Sequence, residues 1–169
     1  MDSVYISLTH SGERLMPSEP IQDLWPEIGT FCWGCGKNNP HGLQLKSYWA
    51  DEETVAMWQP KDYHLAFPGV LNGGIIATLI DCHATGTANA VAHRNSMTDK
   101  SNHFVYVTGS LQVKYLRPTP LAKPVTLKAR VMDATDRKMT VTCSLYSDGI
   151  ECATGEVVAV RIDASSLIE

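Results

Sequence analysis

No apolar run in this chain approaches the ~20 residues that a helix needs to cross a bilayer, so no membrane span is expected. Lysine and arginine form no block and the formal net charge is −4, which removes the electrostatic basis for binding nucleic acid. An anionic ligand would therefore need a local basic site. The stretch from Met1 to His10 lacks a charged segment followed by an apolar one, so no secretory signal is expected. The five cysteines, Cys32, Cys35, Cys82, Cys143 and Cys152, are an odd number and suit a reduced, cytoplasmic protein better than a disulfide scaffold. A second Cys-x-x-Cys is also missing. Cys32-Trp-Gly-Cys35 thus has too few partners for a structural zinc, although His41 is nearby, and a turn-forming loop without metal is expected.

What is present is enough for one domain. With 169 residues and 44% hydrophobic content the chain can build a real core but is short for two. Residues 1–30 are weakly patterned and broken by Pro17, Pro20 and Pro26, so they are expected to form an N-terminal extension to a domain spanning 31–169. Trp25, Ile28 and Phe31 suit a strap over the core better than a lid or a dimer contact.

The organising stretch runs from Phe67 to His93. Pro68 and Gly69 mark a turn, Asn72 is a favoured helix N-cap, and no proline interrupts Gly73 to His93. Ile75, Ile76, Leu79 and Ile80 cover more than one helical face, which predicts an enclosed helix. Asp81 interrupts that apolar run, and an ionised group there must be paired, hydrated or used. Two strands are expected before the helix, near 43–49 and 54–59. After it the period changes to two: Leu111, Val113 and Tyr115, then Val125 to Val131, then Met139 to Leu145, and a less regular run near 152–162. Short polar turns at Asp133–Arg137 and Ser147–Gly149 favour antiparallel hairpins. The expected class is α+β, an antiparallel sheet wrapped around one long central helix.

Three motifs extend this reading. Cys32-x-Gly-Cys-Gly-x-x-Asn-Pro-x-Gly-Leu43, the run from His64 to Asp81, and Val113-x-Tyr-Leu-Arg-Pro-Thr-Pro120 resemble the hotdog-fold acyl-CoA thioesterases of the phenylacetate-degradation and 4-hydroxybenzoyl-CoA type. That family typically carries Pro-Gly-x-x-His-Gly-Gly and an acid nine positions after the histidine. Here both glycines and the acid keep their spacing, Asn72 stands at the histidine position, and a further family asparagine falls on Ala66.

The resemblance implies a hotdog fold and a homodimer or tetramer of dimers, with sites shared between subunits. Its substrate would be an acyl- or aryl-CoA, coenzyme A entering as part of that substrate and with no other cofactor. Asp81 would be base or nucleophile, and the amides of Gly73 and Gly74 would hold the thioester oxygen, assisted by the helix dipole. Asn72 is either a plain cap or a donor to that oxygen. His64 and Thr85 are candidate substrate contacts. His83 lies about 200° round the helix from Asp81, so it would act only across a dimer. Arg117, Arg137 and Lys138, in turns or at strand ends, are candidates for the nucleotide phosphates. Two other functions share these features: a non-catalytic acyl-CoA-binding protein, and a hotdog hydratase or dehydratase.

Overall fold

The computed structural model describes residues 19–25, 27–95 and 104–167. Most of the expected N-terminal extension, 1–18, and the polar loop 96–103 lie outside them. Eight strands and one long helix follow in order: β1 (Ser47–Ala50), β2 (Glu53–Trp58), β3 (Leu65–Phe67), β4 (Val70–Leu71), α1 (Gly73–Asn95), β5 (Phe104–Tyr115), β6 (Val125–Ala134), β7 (Lys138–Ser147) and β8 (Ile150–Asp163). Six of the strands form one antiparallel sheet in the order β1-β2-β6-β7-β8-β5, and β3 and β4 pair as a separate small hairpin.

Alternation in β6, β7 and β8 follows directly from their one-sided burial. Val125, Leu127 and Ala129, then Met139, Val141, Cys143 and Leu145, then Ala153, Val157 and Ala159 point inward. The helix supplies the facing layer with Ile76, Leu79, Ile80, Ala84 and Ala88. The β7–β8 hairpin turns through Asp148 and Gly149, both at positive φ (50° and 74°), the pair of left-handed residues that a tight hairpin of the right twist requires.

Two elements differ from expectation. The first strand begins at Ser47 and not near Leu43, because the amides of Leu43 and Leu45 donate to the carbonyls of Trp33 and Gly34 and so belong to the Cys-x-x-Cys loop. Gln44, at φ 54°, breaks the extended run between them. Strand β5 is also longer than its alternation suggested. A bulge at Gly109 shifts the register between Thr108 and Ser110, so Thr108 before it and Tyr115 after it both reach the helix although their numbers differ in parity.

Small residues set how closely the helix approaches the sheet. A Cβ on Gly155 in β8 would overlap Ile80 of the helix. Gly155→Ala is expected to destabilise the fold by about 1–3 kcal/mol through overpacking, read as a lower denaturant midpoint in urea unfolding.

Candidate active site

The helix begins at a capped turn. Asn72 Oδ1 accepts the N–H of Gly74 at 2.8 Å and of Ile75 at 3.4 Å, its own N–H donates to the carbonyl of His64, and its carbonyl receives Ile76. This is an N-cap in the full sense, made with the side-chain oxygen of Asn72, the first of the two roles open to it in the sequence. It also commits the Gly74 amide. Of the first helical amides, that of Gly73 is the one without a partner among the described residues, while the Gly73 carbonyl accepts Tyr115 Oη at 2.8 Å.

The expectation that an asparagine replaces the histidine of the catalytic helix is corrected by this geometry. The histidine at the catalytic position of the central helix is His83, its other histidine being His93 in the last turn, and Asn72 lies just outside the helix as its cap. His83 is fully buried. Its Nδ1 lies 2.8 Å from Ser47 Oγ, and its Nε2 lies 3.1 Å from the carbonyl of Thr54. A carbonyl can only accept, so Nε2 carries the proton and Nδ1 receives the serine hydroxyl. Gln22 extends this chain by donating to Ser47 Oγ and accepting the Ser47 amide, while Asp23 pairs with Lys46 at 2.7 Å. Residues 19–25 are thereby tied to β1 and, through His83, to the helix.

Asp81 sits on the opposite flank, half-buried. Thr108 Oγ1 donates to its Oδ1 at 2.6 Å, and Thr85 Oγ1 lies 2.9 Å from Thr108 Oγ1. The Thr108 proton is spent on Asp81, so Thr85 is the donor in that second bond. Burial raises the Asp81 carboxyl above its ordinary range, the Thr108 hydroxyl draws it back, and the neighbouring Cys32 adds to the rise. Its second oxygen has no protein partner among the described residues. Thr108 was missed in the sequence because the bulge at Gly109 conceals the alternation upstream of it; an isolated glycine within a strand was the available signal.

The remaining candidates scatter. The His64 ring, with its pKa lowered by burial and by Lys61, accepts the Lys61 amide at 3.0 Å and packs against Trp58 and Tyr63, which anchors its own loop. Arg117 donates to the carbonyl of Glu151 at the start of β8, whereas the carbonyl of Arg137 accepts the Arg161 amide near its end. Those two places are ten residues apart along one strand, roughly 33 Å. One nucleotide phosphate therefore cannot be met by Arg117 together with Arg137 and Lys138 of the same chain. The cysteines of the loop do come together with a third: the sulfurs of Cys32, Cys35 and Cys82 all lie within 4.8 Å of one another.

A single long helix enclosed by an antiparallel sheet, with an acid on its open flank and a glycine turn at its start, defines the hotdog class. The thioesterase superfamily model matches residues 68–154, and the chain belongs to that family of hydrolases. It is 40% identical to a thioesterase superfamily protein from Shewanella loihica PV-4, over 73% of this chain and 96% of that one, with a TM-score of 0.59. The mouse acyl-coenzyme A thioesterase THEM4 is 30% identical over 97 residues, 57% of this chain and 37% of that protein. The chain thus spans little more than a third of this relative's length. The Escherichia coli PaaI protein of the phenylacetic acid degradation operon shares the fold at 16% identity and a TM-score of 0.59. Among the described residues no helix is long and apolar enough to cross a membrane.

His83 generates a pH dependence of known sign. Burial lowers its pKa to about 4, so below the ordinary value near 6.5 the unfolded chain binds a proton that the folded one refuses. Stability should fall as pH drops from 7 towards 4, by roughly 3 kcal/mol from this group, and level off below its folded pKa. Urea midpoints measured across that range should show the decline, with a shallower slope in His83→Gln.

Proposed function

We propose that the chain hydrolyses an acyl- or aryl-CoA thioester to the free acid and coenzyme A, with Asp81 as the attacking carboxylate or the base that activates water. The observation that carries this reading is the state of Asp81: half-buried, raised in pKa, held by Thr108 through one oxygen and with the other unpartnered among the described residues. An unpaired carboxylate oxygen on an open helix flank is costly to keep unless it meets a ligand.

The position of Asp81 also bears on assembly. Eight residues separate it from Gly73, about 12 Å along the helix axis. A thioester carbonyl held by the Gly73 amide cannot also lie ~3 Å from Asp81 of the same helix. The two groups would have to come from two subunits. Strand β5 is a sheet edge of 12 residues and its stretch from Thr108 is largely exposed, so a second copy pairing there would extend the sheet and bring a second helix alongside. The exposed Leu65, Phe67, Tyr115 and Leu116 are suited to be covered by that copy or by the acyl chain.

In this reading Asn72 acts by orienting the first turn, Gly74 by letting the cap close, and Thr85 by fixing Thr108. Arg117, two residues beyond the Tyr115 that bonds the Gly73 carbonyl, would contribute phosphate contacts near the helix start, and Arg137 and Lys138 could contribute only from the other subunit.

Asp81→Asn should lower kcat for thiol release by 10²-fold or more, with the thermal midpoint retained, across a panel of aliphatic and aryl acyl-CoAs. Undiminished turnover would remove Asp81 from the mechanism. Acyl-CoAs that raise the thermal midpoint of the unaltered protein but are never cleaved would make it a binding module. Activity should decline as pH falls through the raised Asp81 pKa, and Thr108→Val, which removes the hydroxyl that draws that pKa down, should move this acidic limb to higher pH in kcat/KM profiles.

A further inference from the structure

We propose that Cys32, Cys35 and Cys82 form a zinc site that fastens the Cys-x-x-Cys loop to the central helix, with a fourth coordination position left open. Their sulfurs converge within 4.8 Å of one another, and those of Cys32 and Cys82 are 3.7 Å apart. A disulfide would bring two sulfurs to about 2.05 Å, and all three cysteines are free. Two thiolates bound to one tetrahedral ion at about 2.3 Å each lie about 3.8 Å apart, which is the separation found.

The backbone is built around this convergence. Gly34 has no side chain, and a Cβ there would run into the Cys82 sulfur and Thr78, so glycine is what lets the loop press on the helix. A Cβ on Gly36 would strike the Cys32 amide and the Thr30 carbonyl. The loop is then locked by Gly36 N–H to Cys32 O at 2.8 Å, Leu43 N–H to Trp33 O at 2.8 Å and Leu45 N–H to Gly34 O at 3.0 Å. Thiols are weak donors to one another, so three S–H groups gain little from such a rigid frame, whereas three soft thiolates match zinc.

Cys35 and Cys82 are buried while Cys32 is half-exposed, so the open position faces outward on the Cys32 side. Three protein ligands leave room for water or a small exogenous donor. Because Cys82 directly follows Asp81, the ion would also fix the helix segment that carries the carboxylate. The zinc readouts below do not depend on thioester turnover, so this proposal stands or falls separately from the proposed hydrolysis.

The test uses the full chain produced with zinc in the medium, purified without chelator and dialysed. Elemental analysis should give about one zinc per chain. Cobalt(II) replacing it should give thiolate-to-metal charge-transfer absorption and the intense visible bands of tetrahedral coordination. Cys82→Ser and the half-exposed Cys32→Ser should each weaken zinc affinity at least 10-fold in competition with a chromophoric chelator, while Cys152→Ser, whose sulfur instead faces the Ile150 carbonyl, should not. Removing zinc should lower the thermal midpoint. Less than ~0.1 zinc per chain after reconstitution, octahedral cobalt spectra, or unchanged affinity in Cys32→Ser would each overturn the proposal.

Discussion

Everything in this fold depends on burying one helix that is not wholly apolar. Alanine, glycine and isoleucine let α1 lie close on the sheet, but the same helix carries Asp81, His83, Thr85, Thr87 and Asn89, and a buried polar group without a partner is strongly destabilising. The fold resolves this by sorting them into two stripes. Asp81, Thr85 and Asn89, four residues apart, face β5. There Thr108 bonds Asp81 and meets Thr85, and the Asn89 amide both accepts from and donates to the Tyr106 backbone. His83 and Thr87 face β1 and β2, where Ser47 and Thr54 complete them.

The two stripes have different consequences. The His83 stripe is closed: each ring nitrogen has its partner, and Gln22 adds an outer contact, so it can hold residues 19–25, the sheet and the helix together but cannot readily exchange protons. The β5 stripe ends at the sheet edge. Its last member, Asp81, keeps one oxygen unpartnered among the described residues, and it is there that binding energy and chemistry have access. His83 thus has both ring nitrogens occupied within the chain. The carboxylate two residues before it is the reactive candidate.

The Cys-x-x-Cys loop obeys the same constraint from outside. Its glycines exist for close approach, and the strand expected at Leu43 gives its first amides to the loop instead of to a neighbouring strand. The helix is consequently held on three sides: by the sheet beneath, by Gln22 through Ser47 and His83, and by the loop at Cys82.

The sequence alone determined the helix, its cap and the antiparallel strands, because period, proline placement and turn residues are local properties that each element must satisfy by itself. It also singled out Asp81, since an acid within an apolar helical run is anomalous wherever the helix packs. Only the tertiary structure decided what each polar residue meets. Thr108 reaches Asp81 across a bulge, Asn72 commits its side-chain oxygen to the cap, Arg117 and Arg137 part to opposite ends of β8, and Cys82 joins a motif 47 residues earlier in the chain. Partners so far apart in the chain leave no periodic trace, and distance in space is fixed by register and packing, which no local pattern encodes.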